Sequence, residues 1–183
     1  MEVHVLVPLK RLDGAKSRLT STLPAAGRSE LMCDLLGGVL AAISKAGFER
    51  VTVVTREPLD GVRVWDDRGL PWNDALAAAM DEVVTEDVVT IVSADLPLLA
   101  ASEVRALVEA TPLRGIAIAR ALDGGTNAIS MRPPGLVKTH FGEPRSASVH
   151  AALGVPSVFL DLPGLAFDVD TPADLQRLRG GKV

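Results

Sequence analysis

Three carboxylates in two short segments of the sequence could bind a divalent cation. Asp95 follows an uncharged apolar run at residues 88–93, and Asp168 and Asp170 are separated by a single residue. Side chains at positions i and i+2 of an extended segment point to one side, so Asp168 and Asp170 can face a common point. Clustered carboxylates are unfavourable without a cation, and their oxygens suit Mg²⁺ held together with substrate phosphates. The alternatives are that Asp95 caps the next helix, that Asp168 is exposed and that Asp170 belongs to the cap of the last helix.

A basic segment at residues 10–18 could bind phosphate. It contains four cationic residues in nine positions and includes Gly14. Lysine supplies a mobile point charge, arginine supplies a bidentate fork, and glycine lets backbone N–H groups approach an anion closely. The segment follows the first apolar run, and ligands of α/β sheets lie beyond the carboxyl ends of the strands. The alternative is a solvated basic loop.

Two further polar segments admit both a functional and an ordinary interpretation. Residues 123–128 read Asp-Gly-Gly-Thr-Asn-Ala and could hold a small polar substrate. Local chemistry favours a simple hairpin there. Residues 141–146, followed by His150, could form an anion-binding loop at a helix N-terminus, or a turn and a helix cap.

Composition excludes several classes of function. The chain has 183 residues, with 19 basic and 23 acidic side chains and a net charge of −4. It therefore lacks the basic field that steers proteins to nucleic acid or anionic lipid. Four Phe, two Trp and no Tyr are too few for a base-stacking platform. We expect neither a nucleic-acid nor a membrane partner.

Covalent and redox catalysis also lack a sequence signature. Cys33 is the only cysteine, which excludes an internal disulfide and indicates a cytoplasmic protein. The three histidines have no metal-ligand spacing, and no G-x-S-x-G segment is present. The Walker A and G-x-G-x-x-G motifs are absent as well, so neither a P-loop ATPase nor a dinucleotide-dependent oxidoreductase is supported.

The elements that must position these residues alternate between strands and helices. This alternation predicts an α/β fold with a mainly parallel sheet flanked by helices, in one domain over residues 1–183. Asn73 is predicted to cap the second helix, and Thr171 to cap the last one, with a proline at its first helical position. Strands are predicted at 3–8, 51–55, 62–64, 88–93, 116–119, 127–131 and 156–160, and helices at 28–46, 75–84, 101–110, 146–153 and from 171 onward.

Four ordered segments, taken together, resemble the 2-phospho-L-lactate guanylyltransferase family (CofC and FbiD type). The resemblance covers residues 3 to about 178 and implies the Rossmann-like fold of nucleotide-diphospho-sugar transferases, related to the molybdenum-cofactor guanylyltransferases. The segments are Val7-Pro8-Leu9-Lys10 with Ala15-Lys16-Ser17-Arg18-Leu19, then Ser93-Ala94-Asp95-Leu96-Pro97-Leu98, then Asp123-Gly124-Gly125-Thr126-Asn127-Ala128, and finally Phe167-Asp168-Val169-Asp170-Thr171-Pro172.

The resemblance implies an activity and its participants. GMP would pass from GTP to a small phosphorylated acid with release of pyrophosphate, during biosynthesis of coenzyme F-420. The acid would be phosphoenolpyruvate, 2-phospho-L-lactate or 3-phosphoglycerate, and the cofactor Mg²⁺. The oligomeric state is left open, with a homodimer among the options.

The resemblance also implies roles by position, with two departures. The loop from Phe141 to Ser146 is one residue longer than the family pattern, and Pro71-Trp72 stands where the family more often has Gly and Leu. The implied metal ligands are Asp95, Asp168 and Asp170, and the implied catalytic residues are Lys10, Lys16 and Asp95. Nucleotide binding would involve Pro8, Leu9, Lys10, Lys16, Arg18 and, against the base, Asn73; phospho-acid binding would involve Thr126, Asn127, Gly142 and Ser146.

The sequence leaves two other functions open. One is a nucleotidyltransferase acting on the molybdenum cofactor or a sugar phosphate, but those relatives carry a Gly-Gly-x-x-x-Arg loop that residues 10–18 lack. The other is a non-catalytic nucleotide-binding module, against which the presence of all three aspartates argues.

Overall fold

The computed structural model describes residues 1–180, which form six α-helices and seven β-strands with two short 3-10 turns near the N-terminus. In chain order the elements are β1 (Val3–Pro8), the 3-10 turns Leu12–Gly14 and Ser17–Leu19, α1 (Ala25–Lys45), β2 (Val51–Val54), β3 (Arg63–Trp65), α2 (Trp72–Asp81), β4 (Val88–Val92), α3 (Ala101–Glu109), β5 (Gly115–Arg120), β6 (Thr126–Arg132), α4 (Ser146–Ala151), β7 (Ser157–Leu160), α5 (Pro163–Ala166) and α6 (Pro172–Arg179).

All seven strands belong to one sheet with the order β3-β2-β1-β4-β6-β5-β7. Strand β6 runs antiparallel to both of its neighbours, and every other neighbouring pair is parallel. The prediction of a mainly parallel α/β sheet is therefore confirmed.

Helices cover both faces of the sheet, and strand side chains alternate between the two cores. In β1, Val5 and Val7 join the core beneath α1 and α3, whereas Leu6 joins the core beneath α2 and α4. Burial on both faces explains why the central strands read as continuous apolar runs in the sequence.

The sheet topology places a crevice between β1 and β4. From β1 the chain crosses to β2 on one side, whereas the neighbour on the other side is β4. Ligands of open α/β sheets bind at such a switch point, beyond the carboxyl ends of the strands. Because β6 is antiparallel to β4, its first residues lie at this same edge, where the Ser93 N–H donates to the Asn127 carbonyl over 2.8 Å.

Three predicted features are wrong or incomplete. Helix α1 begins at Ala25, just after Pro24, three residues earlier than expected. Helix α2 begins at Trp72, so Asn73 lies inside its first turn and does not cap it. The short helix α5 and the two 3-10 turns were not predicted, because a single turn leaves too few residues for a helical hydrophobic period.

The predicted cap of α6 is present. The Thr171 hydroxyl accepts from the Asp174 N–H over 3.3 Å, and the Asp174 carboxylate accepts from the Thr171 N–H over 2.7 Å. We expect Thr171→Ala to lower the free energy of unfolding by about 1 kcal/mol, because one helix-end N–H loses its partner. Urea denaturation measures this, and Thr171→Ser, which keeps the hydroxyl, should match wild type; an equal loss in both variants would contradict the capping role.

Candidate active site

The three predicted carboxylates converge at the carboxyl edge of the sheet. Asp95, Asp168 and Asp170 each offer a carboxylate oxygen within 4.8 Å of the others. The backbone holds the two segments together, since the Val169 N–H donates to the Asp95 carbonyl over 3.4 Å. Three converging carboxylates are an oxygen donor set that fits a hard divalent cation such as Mg²⁺.

The structure decides between the alternative interpretations of these aspartates. Helix α3 begins at Ala101 with Ala100 at its N-cap, so Asp95 is not a helix cap. Asp168 is only partly exposed. Asp170 belongs to the α6 cap through its backbone alone, because its N–H donates to Asp174 while its side chain faces the other carboxylates.

Lys16 extends between two of the carboxylates. Its Nζ lies 2.5 Å from Asp95 Oδ2 and 2.8 Å from Asp170 Oδ1, and its side chain is only 5% exposed. Its φ of 50° is left-handed, at the junction between the two 3-10 turns. Burial lowers the pKa of Lys16, but the carboxylates of Asp95 and Asp170 more than reverse this, and the net pKa is raised. The ammonium is therefore a fixed positive charge within the acidic cluster.

The surroundings of Asp168 perturb the pKa of its carboxyl group. Burial, followed by the charges of Asp95 and Asp170, raises its pKa to about 6. The side-chain amide of Asn127 donates to it over 3.3 Å and partly offsets this shift. A cation that binds beside Asp168 would stabilise the ionised form of this carboxyl, which burial and the neighbouring negative charges disfavour.

The raised pKa of Asp168 predicts that its ionised form destabilises the metal-free protein. The folded state binds this proton more tightly than the unfolded state, so the cost is absent below the unfolded pKa of 3.8 and complete above about 6. We expect Asp168→Asn to be more stable than wild type by about 1 to 2 kcal/mol at neutral pH, a figure reduced for partial solvent screening.

Chemical denaturation in EDTA tests this expectation. The stability difference should be small near pH 4 and should grow as the pH rises through 6. Asp81→Asn, at the exposed end of α2, is the matched control and should show no such trend. A destabilised Asp168→Asn at neutral pH would contradict the assignment.

The basic segment at residues 10–18 forms a loop that is hydrogen-bonded to α1 and to the loop after β2. The Arg28 side chain donates from Nε to the Ala15 carbonyl over 3.1 Å, and the Ser29 hydroxyl donates to the Leu12 carbonyl over 3.0 Å. The Leu12 N–H donates to Glu57 over 3.1 Å. These bonds fix the path of the loop and so hold Lys16 where it meets the carboxylates.

The loop and the carboxylates form part of the wall of an open pocket of about 420 Å³. Lys10 lies on this wall with its Nζ 4.9 Å from the centre of the Trp72 ring, a cation–π contact. Of the sequence-predicted site residues, the pocket is lined by Pro8, Leu9, Lys10, Lys16, Arg18, Asp95, Thr126, Asn127, Gly142, Asp168 and Asp170.

Asn73 and Ser146 are the two predicted site residues that do not line the pocket. Asn73 pairs with the backbone of Phe141: its amide nitrogen donates to the carbonyl over 3.1 Å and its amide oxygen accepts from the N–H over 2.9 Å. Ser146 is 1% exposed, and its hydroxyl donates to the Thr126 hydroxyl over 3.0 Å. Contact of Asn73 with a base, or of Ser146 with a phospho-acid, stays a prediction.

The sequence assigned no role to Trp72, and it indicated His150 only as the residue that follows a possible anion-binding loop at residues 141–146. Trp72 lines the pocket, and its only signal in the sequence was the departure from the family pattern beside Asn73. His150 is fully buried and bonds to Thr126 through Nδ1 over 3.0 Å. A histidine on an amphipathic helix carries no sequence signal that separates this role from ordinary packing.

Solved structures with the same fold define the class. A nucleotidyl transferase from Methanothermobacter superposes with a TM-score of 0.71 at 17% identity, covering 99% of this chain and 97% of that one. The protein Rv0371C of Mycobacterium tuberculosis, solved in complex with manganese, superposes with a TM-score of 0.61 at 23% identity, covering 97% of each chain. The architecture is therefore that of the nucleotidyltransferases.

Sequence comparison narrows the class to one family. Residues 3–178 match the family model described as "Guanylyl transferase CofC like", and the chain belongs to this family of guanylyltransferase enzymes. A phosphoenolpyruvate guanylyltransferase from Sphaerobacter thermophilus is 39% identical over 194 residues, which cover 98% of this chain and 94% of the relative. Another, from Rubrobacter xylanophilus, is 38% identical over 193 residues, covering 97% and 94%. The resemblance found in the sequence motifs is confirmed.

Within residues 1–180, no helix has both the length and the apolar character needed to cross a bilayer.

Proposed function

We propose that the protein transfers GMP from GTP to the phosphate of phosphoenolpyruvate and releases pyrophosphate, as a cytoplasmic step in coenzyme F-420 biosynthesis. The observation that carries the proposal is the convergence of three carboxylates and Lys16 at the switch point of a nucleotidyltransferase fold. The names of the curated relatives supply the choice of phosphoenolpyruvate.

The proposed reaction needs no general base. An oxygen of the acceptor phosphate is already anionic at neutral pH, so it can attack the α-phosphorus of GTP directly, and the bond to the β,γ-pyrophosphate breaks. The main obstacle is to bring two polyanions together in line, and fixed cations and positioning are the effective means. None of the described residues that line the pocket is a histidine, and the proposed reaction does not require one.

The acidic cluster, the two lysines and the residues at 126–146 have separate roles in this proposal. Asp95, Asp168 and Asp170 would hold Mg²⁺, which when bound would neutralise phosphate charge. Lys10 and Lys16 would stabilise the negative charge of the α-phosphate and of the departing pyrophosphate. Thr126, Asn127 and Gly142, which line the pocket, would contact the phospho-acid, and Ser146 donates to the Thr126 hydroxyl from behind.

A pyrophosphate-release assay that crosses GTP and ATP with three acceptors tests the proposal. We expect turnover with GTP and phosphoenolpyruvate, and weaker or no turnover with ATP. Faster turnover with 2-phospho-L-lactate or 3-phosphoglycerate would identify that acid as the acceptor in place of phosphoenolpyruvate. The proposed type of reaction would stand. No turnover with any acceptor, combined with tight GTP binding in calorimetry, would favour a nucleotide-binding module and overturn the proposal.

A further inference from the structure

The buried side chain of His150 holds both of its ring nitrogens in hydrogen bonds. Nε2 lies 2.9 Å from the backbone nitrogen of His140, and Nδ1 lies 3.0 Å from the Thr126 hydroxyl oxygen. A backbone N–H can only donate, so Nε2 must be the unprotonated, accepting nitrogen. The ring hydrogen of neutral His150 is therefore on Nδ1, where it donates to Thr126.

Burial and the neighbouring His140 keep this imidazole neutral. Together they lower the pKa of His150 to about 4. The ring also packs edge-on against Phe141, with 5.7 Å between ring centroids. Neither the charge nor the orientation of His150 is free to change near neutral pH.

Both acceptor positions of the Thr126 hydroxyl oxygen are therefore occupied by donors of the protein itself. Its hydroxyl oxygen receives the Nδ1–H of His150 and the hydroxyl hydrogen of Ser146, each over 3.0 Å. A hydroxyl has two acceptor lone pairs and one donor hydrogen. With both lone pairs occupied, the hydroxyl can form a further hydrogen bond only as a donor. Because Thr126 lines the pocket, that bond can be donated to a ligand there.

We infer that His150 is a positioning residue that makes the Thr126 hydroxyl an obligatory hydrogen-bond donor toward an anionic oxygen of the acceptor. This inference rests on the proposed function. Through Nε2, His150 also ties Thr126 to the segment beginning at His140, which carries Gly142 into the pocket wall. His150 itself does not line the pocket, so it acts through Thr126.

Paired substitutions separate the two hydrogen bonds of His150. Asparagine places an amide N–H near the position of Nδ1, whereas glutamine places an amide oxygen near the position of Nε2 and loses the donor to Thr126. We expect His150→Gln and Thr126→Val each to raise the KM for phosphoenolpyruvate roughly 10- to 100-fold, the effect of one hydrogen bond to a charged group. His150→Asn and Thr126→Ser should recover much of this loss, and the KM for GTP should stay unchanged.

A double-mutant cycle supplies the decisive comparison. If His150 acts through Thr126, adding His150→Gln to Thr126→Val should raise the KM for phosphoenolpyruvate no further. Independent, multiplying effects, or a parallel rise in the KM for GTP, would reduce His150 to a packing role and overturn the inference. Thermal melts of all variants identify any that fail to fold, and for those the NMR measurement on the wild-type protein decides instead.

A measurement on the resting protein keeps this inference distinct from the proposed function. In protein labelled with ¹⁵N-histidine, the His150 ring should give the NMR shifts of a neutral Nδ1–H tautomer. The Nε2–H tautomer would overturn the inference and leave the proposed reaction intact. A wild-type protein without turnover on any phospho-acid would overturn the proposed reaction, and the inferred acceptor contact with it.

Discussion

Asp95→Asn should release pyrophosphate from GTP and phosphoenolpyruvate about 1,000-fold more slowly than wild type, because the substitution removes one carboxylate from the cluster that would hold Mg²⁺. The same carboxylate binds the Lys16 ammonium over 2.5 Å, so its loss also frees the cation that would contact the nucleotide phosphates. Asparagine has nearly the same shape, and the fold should persist. Steady-state assays with saturating Mg²⁺ and a thermal melt measure the two effects separately.

The matched control for Asp95→Asn is Asp81→Asn. Asp81 is the exposed last residue of α2, at the end of the helix opposite to Trp72, which lines the pocket. Its turnover should equal that of wild type. Turnover of Asp95→Asn close to the control would remove the acidic cluster from the mechanism.

Lys16→Met should reduce turnover by about 100-fold or more while binding a divalent cation more tightly than wild type. Turnover falls because a fixed positive charge beside the reacting phosphates is lost. Cation affinity rises because the ammonium that lies between Asp95 and Asp170 no longer competes for their oxygens. Each of the two ion pairs contributes about 1 kcal/mol even with the full screening of bulk water, so removing the ammonium predicts a gain of at least roughly tenfold.

Titration with Mn²⁺ alone, followed by the electron paramagnetic resonance of the free ion, measures this affinity without any turnover. Lys45→Met, at the exposed end of α1, removes the same charge away from the pocket and should bind Mn²⁺ as wild type does. Equal or weaker Mn²⁺ binding by Lys16→Met would show that the Lys16 ammonium does not compete with a divalent cation for the oxygens of Asp95 and Asp170.

The sequence was sufficient to predict the seven strands and a mainly parallel sheet, though not the strand order, because the strands carry strong local signals. Central strands such as β4 are buried on both faces and read as unbroken apolar runs. The helix boundaries were harder to predict. Asn73 has the side chain of a good N-cap, but in the structure it pairs with Phe141, 68 residues away in the chain. Such a long-range contact leaves no periodic trace in a sequence.

The acidic cluster was predictable for a different reason. Asp168 and Asp170 have the spacing of neighbours on one side of an extended segment, and Asp95 follows a strand whose carboxyl end faces the crevice. Topology therefore brings the three together. The sequence could not indicate that Lys16 reaches between them, since this depends on a left-handed backbone turn between two short 3-10 turns.

Catalytic and structural demands oppose each other at Asp168. Burial, together with the nearby carboxylates of Asp95 and Asp170, raises the pKa of this group to about 6, so we expect its ionised form to disfavour the metal-free fold at neutral pH. The same arrangement favours a divalent cation. The stability gain expected for Asp168→Asn and the activity loss expected for Asp95→Asn are thus two consequences of one cluster.

The ³¹P NMR spectrum of the product formed from GTP and phosphoenolpyruvate tests the central claim most directly. Attack by the acceptor phosphate on the α-phosphorus predicts a mixed phosphoanhydride, with two mutually coupled phosphorus signals and one equivalent of free pyrophosphate. An intact phosphoenolpyruvate signal beside uncoupled GMP would mean hydrolysis, and an uncoupled acyl-guanylate signal would mean attack by the carboxylate. Either result would contradict the account.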